Sequence, residues 1–89
     1  MAQRILVVDD EELNRDLLSR RLKRSGYRVS TASNGREALD QIETTAYSLI
    51  LLDVMMPELN GLSMLRMLRA TRSADELPVI MATAMSESD

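Results

Sequence analysis

The chain alternates between short, uninterrupted apolar runs and longer segments whose apolar residues recur at helical spacing. Three runs carry the strongest signal. They are Ile5-Leu6-Val7-Val8 ahead of Asp9-Asp10, Leu49-Ile50-Leu51-Leu52 ahead of Asp53, and Val79-Ile80-Met81-Ala82 ahead of Thr83. Runs of this kind read as strands of a parallel sheet, buried on both faces. Pro78 fits the first position of the last strand, where a missing N–H is tolerated. The stretch from Tyr27 to Ala32 alternates instead, with Tyr27, Val29 and Thr31 on one side and Arg28 and Ser30 on the other. That pattern predicts a half-exposed strand at a sheet edge.

Helices are predicted between the strands. Leu13, Leu17, Leu18 and Leu22 define the apolar side of the first, and Arg15, Arg20, Arg21, Lys23 and Arg24 read as its solvated face. Gly26 suits a left-handed cap after Ser25. Asn34 followed by Glu37 resembles an N-terminal capping pair for a second helix, which ends near Thr45 and turns Ala38, Leu39 and Ile42 inward. Beyond Pro57 and Gly61, Leu62, Leu65 and Leu68 mark a third helix, with Arg66, Arg69 and Arg72 assigned to its solvent side.

The resulting order, β-α-β-α-β-α-β, with right-handed crossovers, is that of an α/β doubly wound parallel sheet of the flavodoxin-like type. The two most apolar early strands belong in the middle and the alternating one outside, giving strand order 2-1-3-4. Asp9, Asp10 and Asp53 then meet in the crevice beyond the carboxyl ends of strands one and three. The fourth strand is as apolar as the interior ones, yet only Ser86-Glu87-Ser88-Asp89 remains to cover its outer edge. Residues 1–89 are therefore expected to be the amino-terminal part of a domain, or to be completed by another chain.

Composition narrows the chemistry. With 89 residues there is room for one small domain, and 45% apolar with 28% charged residues is globular. The absence of Cys excludes disulfides and thiolate chemistry, and the absence of His excludes histidine acid–base work. A net charge of -3 gives no electrostatic case for nucleic-acid binding by this segment. No stretch approaches the roughly 20 apolar residues of a membrane span, so a soluble, cytoplasmic protein is the simplest expectation.

Each acidic motif has a plain reading. Asp9-Asp10-Glu11-Glu12 is favourable at a helix start because acids complement the positive end of the helix dipole. Asp53 could serve as a turn residue before Pro57, and Thr83 as a strand-end hydroxyl. Taken together, the acidic pair after strand one, Asp53-Val54-Met55-Met56-Pro57 with Gly61 after strand three, and Thr83-Ala84 after strand four resemble the receiver domain of two-component response regulators. The similarity runs through essentially all 89 residues.

That resemblance implies a phosphorylation-controlled switch rather than a conventional enzyme. Asp53 would be the phosphoacceptor, taking a phosphoryl group from a histidine kinase or phosphotransfer protein. Mg²⁺ would be bound by Asp10 directly, by Asp9 mainly through water, by Asp53 and by the backbone carbonyl of Met55. Thr83 would hydrogen-bond the phosphoryl group, and Ala84 would leave room for it. These residue types suit such chemistry, because Mg²⁺ prefers oxygen ligands and keeps several waters, while phosphoryl transfer needs positioning and charge neutralisation. Receivers also carry a lysine after a fifth strand, and the one lysine here, Lys23, lies in the first helix and does not match it. Two other classes remain open: an aspartyl-phosphate phosphohydrolase, and a noncatalytic assembly module such as a homodimer or swapped dimer covering strand four.

Overall fold

The computed structural model describes residues 3–53, 61–70, 72 and 76–82. Its elements are β1 (Arg4–Val8), α1 (Glu12–Arg24), β2 (Arg28–Ala32), α2 (Gly35–Thr44), β3 (Leu49–Asp53), α3 (Gly61–Arg69) and β4 (Val79–Ala82). All pairings are parallel and the strand order is β2-β1-β3-β4, as the apolar pattern predicts. Ile5 to Val8 lie between two neighbours and are 3% exposed or less. Ile50 and Leu52 of β3 are likewise buried, and Ala32, Ala38, Ile42, Leu68 and Leu77 complete the core around the central strands.

Local signals set the element ends. Gly26 has φ +99, a conformation favourable to glycine, and nothing lies within 4 Å of where a Cβ would stand. Its N–H donates to Lys23 O at 3.0 Å and the Tyr27 N–H to Leu22 O at 3.1 Å, the paired bonds of a Schellman cap. At α2 the Asn34 carboxamide oxygen accepts the Glu37 N–H at 2.8 Å. The Glu37 carboxylate reaches back to the N–H of Ser33, at 2.7 Å, rather than to that of Asn34, so the predicted box closes one residue early. Gln41 then ties α2 to the sheet, donating to Thr31 O at 2.8 Å and accepting from the Tyr47 hydroxyl at 2.9 Å. Pro78 precedes β4 as expected, and its carbonyl accepts the Ile50 N–H at 3.1 Å.

Two helical faces differ from the sequence reading. In α1, Leu13 and Leu17 are 68% and 48% exposed. The less accessible positions are Asn14, Arg15, Leu18, Ser19 and Leu22, of which the last four form an i, i+3, i+4, i+7 stripe that rotates the helix away from its leucine-rich side. Arg69, the last residue of α3, and Arg72, three residues beyond it, are not simply solvated. Arg69 Nη1 donates to Leu77 O at 2.7 Å, and Arg72 Nη2 donates to Ile42 O, in the last turn of α2, at 3.3 Å. Long guanidinium stems fold back to satisfy carbonyls at element ends, which periodicity alone does not reveal. In β4 the large apolar side chain of Ile80 is 53% exposed. No helix among the described residues is long and apolar enough to cross a membrane.

These burial differences predict unequal mutational costs. Leu6→Ala, at a fully buried position, is expected to destabilise by about 2–5 kcal/mol. Leu13→Ala should stay within about 0.5 kcal/mol, as at other surface positions. Urea unfolding midpoints measure both.

Candidate phosphoacceptor site

The site is built at the carboxyl ends of β1 and β3, where the strand order reverses: the chain leaves β1 for β2 on one side and returns to β3 on the other. Val8 is the register partner of Leu52, so one step further along the parallel strands Asp9 and Asp53 follow on adjacent strands. Asp53 closes β3 as a paired residue, in register with Ala82 of β4. It is therefore the last residue of the strand rather than the first residue after it. Thr83 follows Ala82 in sequence. Thr83, Ala84, Met55, Met56 and Pro57 lie outside the described residues, and Asp53 is placed by its backbone.

Asp9 and Asp10 occupy the turn between β1 and α1 in unlike surroundings. Asp9 is 8% exposed, whereas Asp10 faces solvent. The Asp9 N–H donates to Ala32 O at 3.1 Å, prolonging the β1–β2 ladder by one bond. Its Oδ1 accepts the Glu11 N–H at 2.9 Å, which serves a backbone donor at the entrance to α1. Its main-chain carbonyl accepts Arg15 Nη1 at 2.7 Å. Glu11 in turn accepts from the Asn14 side chain at 2.9 Å. The plain and functional readings of the acidic run are thus compatible: Asp9 organises the start of α1 while standing beside the Asp53 position.

Arg15 is the residue that sequence reasoning assigned elsewhere. The available signal was its place in the first turns of α1, since helical side chains lean toward the N-terminus and here lean toward the acidic turn. A groove of about 680 Å³ between α2 and α3, lined by Leu39, Ile42, Met67, Leu68 and charged neighbours, contains none of the predicted site residues.

The model of the response regulator receiver domain family matches residues 5–89. The chain belongs to the response regulator receiver domain family. Response regulator MprA of Mycolicibacterium vanbaalenii is 49% identical over 84 residues, covering 94% of this chain and 36% of that protein. The alkaline phosphatase synthesis transcriptional regulatory protein PhoP of Bacillus subtilis is 48% identical over 87 residues, covering 98% of this chain and 35% of that protein. The chain thus spans about a third of the length of these curated relatives.

Solved receivers share the fold. The response regulator TrrA of Thermotoga maritima, solved in complex with Mg²⁺-BeF, superposes with a TM-score of 0.87 at 40% identity over 94% of this chain and 71% of that one. The chemotaxis protein CheY4 of Vibrio cholerae gives 0.89 at 31% identity over 98% of this chain and 72% of that one. Receiver domains act as phosphoacceptor switches rather than conventional enzymes, and the family match supports that class over the phosphohydrolase and the noncatalytic module.

The capping role of Asp9 is separable from its charge. In metal-free buffer, Asp9→Ala, which loses the acceptor for the Glu11 N–H, is expected to be less stable than Asp9→Asn by about 1 kcal/mol. Chemical denaturation of the two variants, both lacking the charge, reads this difference directly.

Proposed function

We propose that this receiver accepts a phosphoryl group on Asp53 from a phosphohistidine of a histidine kinase or phosphotransfer protein. The observation that carries the proposal is the register: Asp9 follows Val8, Asp53 follows Leu52, and Val8 and Leu52 are partners on adjacent parallel strands. In the transfer, a carboxylate oxygen of Asp53 attacks phosphorus, an acyl-phosphate bond forms, and the phosphorus–nitrogen bond breaks as the imidazole departs with the bonding pair. There is little further covalent work for the protein, so positioning and charge neutralisation carry the reaction.

The donor set suits a Mg²⁺ ion. Asp10 is exposed at the turn, Asp9 is buried with one oxygen bound by a backbone N–H, and both offer hard oxygen ligands. This division supports Asp10 as a direct ligand and Asp9 as one acting mainly through water, with Asp53 and the Met55 carbonyl completing the protein ligands. When bound, Mg²⁺ would supply positive charge against the phosphoryl oxygens. Thr83 would donate its hydroxyl to the phosphoryl group and move inward, shifting a pre-existing equilibrium between inactive and active surfaces.

The receiver is proposed to act in the cytoplasm with its kinase partner. The lysine that receivers carry after a fifth strand is not among these residues, so the roles proposed here are confined to Asp9, Asp10, Asp53, Met55 and Thr83.

Incubating the protein with a small phosphodonor and Mg²⁺, then measuring intact mass, is expected to show one phosphoryl adduct. It should vanish in Asp53→Asn and on chelation of the metal. A folded protein that takes no adduct, or one whose adduct is indifferent to Asp53, would refute the proposal.

A further inference from the structure

Arg15 belongs by sequence to the basic side of α1, yet it is only partly exposed and its Nη1 lies 2.7 Å from the main-chain carbonyl of Asp9. The bond crosses the β1–α1 turn from the helix back to the strand end. Asp9 is thereby held at three atoms: its N–H by Ala32 O, its Oδ1 by the Glu11 N–H and its carbonyl by Arg15. The first two bonds are local consequences of a sheet ladder and a turn. The third comes from a side chain six residues away and brings a full positive charge. It does so where Asp9, Asp10, Glu11 and Glu12 stand in succession and repel one another.

We propose that Arg15 is a positioning residue for divalent-cation binding at this turn. By clamping the Asp9 carbonyl it sets the peptide plane from which Asp10 departs, and so the direction in which both carboxylates leave the turn. This inference rests on the receiver reading above. Two effects of Arg15 on a cation oppose each other, which makes the sign of the outcome diagnostic. As a positive charge it repels the ion, so its removal by itself would tighten binding. As a clamp it lowers the ordering cost of assembling the ligands, so its removal would weaken binding. Groups that orient metal ligands typically change affinity about tenfold or more when lost.

The test is titration of the full chain with Mn²⁺, as a paramagnetic stand-in for Mg²⁺, without phosphodonor. Metal-free unfolding midpoints are measured alongside. Arg15→Met is expected to bind Mn²⁺ on the order of tenfold more weakly than wild type while remaining folded. If Arg15→Met does not fold, Arg15→Leu, which likewise removes both the donor and the charge, poses the same question of sign. Affinity equal to or tighter than wild type in the folded variant overturns the clamp. A wild-type chain whose Mn²⁺ binding is absent, or unaffected by Asp10→Asn, overturns the proposed metal-ligand role of the acidic turn and is distinguishable from failure of the clamp.

Discussion

The parallel hydrogen-bonded register of β1 between β2 and β3 is the constraint from which the other features of the molecule follow. It buries Ile5 to Val8 on both sides and sets the level at which each neighbouring strand ends. A slip of one residue would exchange the side chains facing the two helical layers and displace Asp9 along β3. Burial of large apolar side chains such as Leu6, Ile50 and Leu52 penalises such a slip, so the core and the candidate site are specified by the same pairing.

The acidic turn shows how a fold holds groups that repel. Asp9 continues the strand ladder, accepts the N–H of Glu11 just ahead of α1 and anchors Arg15, at the strand end that the register sets beside the β3 terminus. Each bond is an ordinary one. Their combination restricts a turn that four successive acids would otherwise open. The helix start and the strand end jointly position Asp9.

Arginine accounts for most of what the linear pattern misassigned. The linear pattern assigns Arg15, Arg69 and Arg72 to the polar sides of amphipathic helices, and all three reach main-chain carbonyls near element ends. Arg72, three residues beyond α3, bonds to the last turn of α2, and Arg69 joins the end of α3 to the segment entering β4. Lysine has one terminal nitrogen and arginine a fork, so the guanidinium is the better brace for such carbonyls. An amphipathic pattern records only that these positions are polar.

The order of the residues was enough to specify the succession of elements, the central place of β1 and β3, the Gly26 and Asn34 caps and the candidate acids Asp9, Asp10 and Asp53. These are local matters: strand periodicity, cap chemistry and the rule that functional groups collect at the carboxyl ends of parallel strands need only a few neighbouring residues. Other features arose only when the elements packed. Packing turned Leu13 and Leu17 outward, brought Asp53 into the strand as a paired residue and sent three arginines to distant carbonyls. A one-dimensional pattern tells which face of an element is apolar. The rotation of a helix and the partner of a long side chain depend on what an element from elsewhere in the chain presents to it.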